Sequence, residues 1–313
     1  MNNKIFLRDV VGNYMLNIGT QDEKVLVVNA DLMGTCRNKT FVETYPERSF
    51  NVGIAEQNLV SFSAGLAAEG YKPYAFTMAP FMSMRACEQV RTDIAYGNKN
   101  VKLIAVYAGL SGGISGPTHW AIEDCGIMCS IPNMIVIEPS DKIETEKLLD
   151  ISLTNNKPMY FRITTESTNS IYKENTKFEI GKANIPIKGK DGAIICSGVT
   201  VQYAIEASKI LKEKTGKKFR VIDMHTIKPI DEKAIIEASK TKNIIVVQDH
   251  NIIGGLGTMV SLVIANNNLN TKFKILGIPD TYETIGHAKY LYNKYGYDTE
   301  GIVKEAIKML NGE

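Results

Sequence analysis

SFNVGIAEQNLVSFSAGLAAE, residues 49–69, joins an extended, half-apolar segment to an amphipathic helix. After Gly53, the side chains Leu59, Phe62 and Leu66 recur at three- and four-residue steps, the spacing of one buried helical face. The same extended-then-helical unit recurs on either side. VLVVNA (25–30), VKLIAVY (101–107) and MIVIEP (134–139) are apolar on both faces, as buried parallel strands are. Helical patterns near 56–69, 82–97, 119–129 and 141–154 lie between them, which predicts a doubly wound α/β domain over 1–165. Residues 166–190 are polar, carry Gly and Pro and read as a linker. A second alternation fills 191–313: AIICSG (193–198), helix 200–214, FRVIDM (219–224), helix 231–239, NIIVVQD (243–249), helix 255–267, FKILGI (273–278) and a last helix from about 299. The expected architecture is α/β, two doubly wound domains in tandem.

Bulk composition narrows the function classes. The chain has 313 residues, 44% hydrophobic and 22% charged, enough for about two domains with ample core. Lys and Arg number 36 against 34 Asp and Glu, and no basic run is interleaved with aromatics, so nucleic acid is not the expected partner. No apolar stretch is long enough to span a bilayer, and the start, MNNKIFLRDVVGN, does not read as a signal peptide. Five cysteines (36, 87, 125, 129 and 196) are odd in number and lack paired metal spacing, which fits a reducing cytoplasm.

Few motifs stand on their own. Glu56 sits in a first helical turn, where any carboxylate is favoured by the helix dipole. Gly109-Leu-Ser-Gly-Gly113 matches the turn that exposes a hydrolase serine, but Ile114, Ser115, Gly116 and Pro117 prolong the loop where a helix must begin. Gly254-Gly255-Leu256-Gly257 lacks the spacing of a dinucleotide turn, and close strand-to-helix packing accounts for it better. The four histidines (119, 225, 250 and 287) have no metal-ligand spacing. His119 follows the Gly-rich loop and is expected to begin a helix.

Longer segments carry more. FNVGIAEQNLVSFSAGLAAEGYKPYAFT (50–77), RACEQVRTDIAY (85–96), SGPTHWAIED (115–124) and IPNMIVIEPSD (131–141) together resemble the C-terminal half of the transketolase family. IDMHTIKPID (222–231) and QDHNIIGGLG (248–257) resemble that family's last domain. The chain is thus similar to the separate C-terminal subunits of split transketolases, with a pyrimidine-binding domain over 1–165 and a transketolase C-terminal domain over 191–313. A self-contained transketolase also carries a diphosphate-binding domain marked by GDG; none occurs here, and Asp191-Gly192 enters a strand of the last domain. The resemblance therefore implies half an enzyme. Its partner would be an N-terminal subunit in an α2β2 assembly, bringing the ligands for the diphosphate and for Mg²⁺ or Ca²⁺.

What the resemblance implies for single residues follows from the cofactor, thiamine diphosphate. Glu56 would hydrogen-bond the aminopyrimidine ring nitrogen and promote the imino tautomer, the form that takes the thiazolium C2 proton; a carboxylate in a partly desolvated helix mouth suits that exchange. Phe81 would stack on or wall the ring. Met78 and Met84 stand where pentose-phosphate transketolases tend to have aromatics, and a thioether still packs against a ring; Asp31 joins them in the cofactor-binding set. His119 matches the histidine that contacts sugar hydroxyls and shuttles protons, and Arg8 and Arg162 match family arginines. Three positions depart: Ser115 replaces an Asp, Tyr107 a His, and Thr165 a phosphate-gripping Arg. Losing cations at the phosphate end weakens the hold on a dianion, so at least one cognate sugar is expected to be unphosphorylated, branched, deoxy or otherwise modified. The expected reaction is transfer of a two-carbon ketol unit from a ketose to an aldose. The alternatives are a 2-oxo acid dehydrogenase β subunit, a deoxyxylulose-phosphate-synthase-like enzyme and a non-catalytic regulatory subunit. SGPTHWAIED favours the transketolase side, and an idle site has no chemical need for both Glu56 and His119.

Overall fold

A computed structural model describes residues 4–282 and 284–312. Among them the first sheet has seven strands, in the order Thr226–Lys228, Ile135–Ile137, Met159–Ile163, Lys102–Val106, Lys72–Met78, Val25–Asn29 and Ser49–Asn51. All pair in parallel except Thr226–Lys228, which runs antiparallel at one edge. The strands Val25–Asn29, Lys102–Val106, Ile135–Ile137 and Met159–Ile163 are buried along their whole length, because helices cover both faces. Leu7–Gln21 and Lys142–Thr154 pack on one face, Glu56–Ala68 on the other.

The second sheet orders Lys272–Ile278, Asn243–Asn251, Gly192–Cys196 and Phe219–Asp223 in parallel, with Asn184–Ile187 antiparallel at the edge. Residues 166–190 are thus more than a connector: Asn184–Ile187 joins the second sheet, and Ser167–Thr168 pairs with Ile5–Phe6 near the amino end. No helix among the described residues is long and apolar enough to cross a membrane.

Two expected helices differ. The 82–97 segment is α-helical only over Cys87–Gln89, between π-helical turns at Phe81–Arg85 and Val90–Ala95. Between 119 and 129, the α-helix starts only at Asp124. His119 ends a short 3₁₀ turn, Pro117–His119, and the backbone of Ala121 then bridges back to Gly109.

The domains are locked together. The antiparallel strand Thr226–Lys228, which the second domain contributes, extends the first sheet, and one apolar cluster runs from Met134 and Val136 to Ile195, Ile222, Met224 and Ile227. Gly254, at φ +86°, meets Gly126 backbone to backbone: a Cβ built on it would lie 3.1 Å from the Gly126 Cα. Gly257 presses its helix against Ile275 of the strand Lys272–Ile278, 2.6 Å from where a Cβ would stand. The Gly-Gly-Leu-Gly segment is packing glycine, as its sequence suggests.

Candidate active site

Parallel α/β sheets place their chemistry beyond the carboxyl ends of the strands, and the expected site residues follow that rule except Arg8, in the helix Leu7–Gln21, and Arg162, inside the strand Met159–Ile163. Asp31 follows the strand Val25–Asn29, Glu56 follows Ser49–Asn51, Phe81 follows Lys72–Met78, and Met78 is that strand's last residue. Tyr107, Ser115 and His119 follow Lys102–Val106, and Thr165 follows Met159–Ile163.

Glu56 opens the helix Glu56–Ala68 and is only 4% exposed. Its one described side-chain partner is Arg85, whose Nη1 donates to both carboxylate oxygens at 3.3 Å. A carboxylate has about four lone-pair sites, so Glu56 keeps acceptor capacity. The Arg85 guanidinium carbon lies 4.0 Å from the centroid of the Phe81 ring, and that ring meets His119 edge-on at 5.5 Å. The four side chains form one contact chain, in which Phe81 and Arg85 line a cavity of about 390 Å³ together with Met84, Pro117, Trp120 and Tyr282. His119 Nδ1 is 2.9 Å from Thr118 Oγ1, and Trp120 donates from Nε1 to the Gly113 carbonyl. Met84 is half exposed at this mouth, whereas Met78 is packed into the core beneath.

The other expected residues fall around it. Asp31 is exposed, at φ +60°, and its N–H donates to Asn51 Oδ1, which also accepts from Gly53 N–H; one Asn thus ties the Asp31 loop to the approach to Glu56. Tyr107 also has a positive φ, +66°, and Arg8 stands 6.0 Å over its ring. The Arg8 Nε is buried with no hydrogen-bond partner among the described residues. Thr165 donates to the Ser111 carbonyl at 2.8 Å, and Ser115 is exposed at the end of the 3₁₀ segment Leu110–Ser115. The Ser111 hydroxyl is buried and donates to the Ala108 carbonyl, so it is not presented as a nucleophile.

Arg162 is a correction. Expected to face the substrate, it is 1% exposed and has every nitrogen engaged: Nε with Asp124, Nη1 with Glu138, Nη2 with the carbonyls of Ala121 and Asp249. With its side chain wholly buried it does not reach a sugar from solvent; the guanidinium is a strut joining the Gly-rich loop's end to the second domain. Asp249 completes the strut, accepting from the Leu110 N–H and from the hydroxyls of Tyr292 and Tyr297. Burial pushes its carboxyl up to about 6 against the pull of Arg162. Gly109, at φ +59°, approaches so closely that a Cβ would sit 2.2 Å from the Asp249 carboxyl. The second domain thereby fixes the loop that carries Ser115 and His119.

Asp124, Cys125 and His250 come close enough to suggest a metal cluster. The Arg162 cation already pairs with Asp124, and burial drives the Cys125 thiol well above its ordinary pKa, against the thiolate a metal needs. Sequence reading missed Arg85 and Trp120. Arg85 was detectable, being four residues after Phe81 on the same helical face.

Comparison with known proteins is consistent with this geometry. The profile described as transketolase, pyrimidine binding domain matches residues 3–170, and that described as transketolase, C-terminal domain matches 181–302. The chain is 40% identical over 310 residues to a putative transketolase C-terminal section of Methanocaldococcus jannaschii, covering 98% of this chain and 97% of that one. It is 36% identical to one of the subunits of the apulose-4-phosphate transketolase of Phocaeicola vulgatus, covering 99% of each. A solved structure described as a split gene transketolase, inactive beta4 tetramer, superposes with a TM-score of 0.89 at 32% identity, covering 99% of both chains. The chain belongs to the transketolase family, with that family's pyrimidine-binding and C-terminal domains in tandem.

Proposed function

We propose that this chain is the C-terminal subunit of a thiamine-diphosphate-dependent transketolase that moves a two-carbon ketol unit from a ketose to an aldose. The observation that carries the proposal is Glu56: a buried carboxylate with open acceptor capacity, joined through Arg85 to an aromatic face that a histidine meets edge-on. These residues fit an aromatic nitrogen heterocycle, which needs an acceptor for a ring N–H and an apolar wall. When bound, thiamine diphosphate supplies the carbon nucleophile that cleaves and re-forms the carbon–carbon bond. Glu56 holds and exchanges the proton at the pyrimidine ring nitrogen. Phe81 and Met84 orient the ring and keep water from its face, and His119, hinged on Thr118, offers an imidazole to sugar hydroxyls. The diphosphate and its Mg²⁺ or Ca²⁺ are assigned to a partner N-terminal subunit, because this sequence has no GDG segment. The assembly we favour is α2β2, and the compartment the cytoplasm.

For the substrate, the neutral side chains of Tyr107, Ser115 and Thr165 support a sugar that differs from ordinary pentose phosphates, with Arg8 the remaining cation near that end. The P. vulgatus relative is named for apulose 4-phosphate, which keeps a phosphorylated member among the candidates. The test is to reconstitute the complex and compare kcat/KM for xylulose 5-phosphate with ribose 5-phosphate against unphosphorylated, branched and deoxy ketoses. The expected result is a faster pair within the panel. A kcat/KM of about 10⁴–10⁸ M⁻¹s⁻¹ for the ordinary pair, with nothing faster, contradicts it.

A further inference from the structure

The contact between Arg85 and Glu56 uses the two surfaces that the proposed cofactor ring needs. A guanidinium is planar and delocalised and can stack on an aromatic face while its edge donates hydrogen bonds. Arg85 does both, over the Phe81 ring and onto both oxygens of Glu56. An ordinary ion pair explains the second contact but does not require the first. The bonds are long, 3.3 Å against about 2.7–2.9 Å for a strong charge-assisted pair. The Arg85 side chain is also 52% exposed, whereas Glu56 is almost wholly buried. The acid is therefore fixed, while its partner is loosely held and has solvent to move into. Arg85 belongs to the π-helical turn Phe81–Arg85, which sets it four residues beyond Phe81 on the wall of the same cavity.

We infer that Arg85 is a placeholder in the cofactor site: it stacks on Phe81 and pairs with Glu56 until the pyrimidine ring of thiamine diphosphate displaces it. This deepens the proposed function and rests on it. The placeholder keeps a buried carboxylate compensated while the site waits for its partner subunit, and it competes with the incoming ring for the same two surfaces. It is a positioning residue for Glu56 and sets how readily the site loads.

Calorimetric titration of thiamine diphosphate with Mg²⁺ into the reconstituted complex, comparing wild type with Arg85→Ala and Arg85→Lys, tests this independently of turnover. The Arg85 end of the pair is half exposed and its bonds are long, so the contact is weak, and removing the competitor should tighten the Kd about fivefold in R85A. R85K, which can pair but not stack, should fall between. Unchanged Kd in both variants overturns the placeholder. Weaker binding in R85A overturns it too, by making Arg85 a cofactor contact. If the wild-type complex takes up no cofactor at all, the proposed function fails instead, and the two failures are thereby told apart.

Discussion

At the scale of single residues, burial decides what each acid does. Glu56 is buried and held, among the described residues, only by two long bonds from a half-exposed arginine, which leaves it acceptor capacity that a residue exchanging a proton can use. Glu56→Gln should keep the helix mouth and the fold but lower turnover of the reconstituted complex by about 10²–10⁴; rates within a few-fold of wild type would reduce Glu56 to a helix-start residue. A second acid site lies between the domains. Ser140 Oγ is 2.7 Å from both Glu144 Oε2 and Asp223 Oδ2, and Tyr172 donates to the same Asp223 oxygen. One hydroxyl proton cannot serve two carboxylates, so the pair retains a proton of its own; burial raises both pKa values, with Asp141 and Glu138 adding negative charge nearby. The unfolded chain then binds fewer protons than the folded one above the ordinary carboxylate range, so this pair makes stability fall as pH rises. His225 works oppositely: burial lowers it to about 4, so from there to about 6.5 the unfolded chain binds more protons and stability rises. Asp223→Asn removes the Asp223 share of the first slope and leaves the His225 slope in place. The stability of D223N relative to wild type should therefore climb with pH from about 4 upward, as read from denaturation midpoints across a pH series. A pH-independent difference would contradict the shared proton.

Among elements, the longest runs were the most legible. VLVVNA, VKLIAVY and NIIVVQD are strands because β-branched residues on both faces suit a sheet covered on both sides, and the helices at 56–69, 141–154 and 200–214 form within a residue or two of their periodicity. The 82–97 segment was harder. Met82, Ala86, Val90 and Ile94 are all fully buried at constant four-residue steps. Each such step overshoots an ordinary α-helical turn by about 40°, so one buried face is kept only where π-helical turns take up the excess. That rhythm is the overlooked signal, and it also governs where Phe81 and Arg85 point. Arg162 misled for another reason: its neutralising acids, Asp124 and Glu138, lie far from it in sequence, so its burial was invisible until the sheets were assembled. The strand Thr226–Lys228 is likewise too short for any period to show. Because it ties the second domain to the first sheet through the fully buried Ile227, Ile227→Ala should cost about 2–5 kcal/mol, with both domains losing stability in one transition. Denaturation that splits into two steps, with the first domain's midpoint unmoved, would show that the shared edge does not couple them.

For the whole molecule, the central claim is that two locked domains present half of an active site. The cavity beside Arg85 opens outward, and Met84 and Tyr282 on its wall are both well exposed. Exposed apolar side chains gathered at a site mouth are what a partner subunit covers. The solved relative described as an inactive β4 tetramer is a chain of this kind assembled with itself. The most direct measurement is equilibrium dialysis of thiamine diphosphate with Mg²⁺ against the purified chain, alone and then mixed with a subunit carrying a diphosphate-binding domain, with ketol transfer assayed on the same samples. Half a site predicts weak binding and no turnover for the chain alone, and tight binding with turnover in the mixture. Stable binding at micromolar affinity by the chain alone would contradict it.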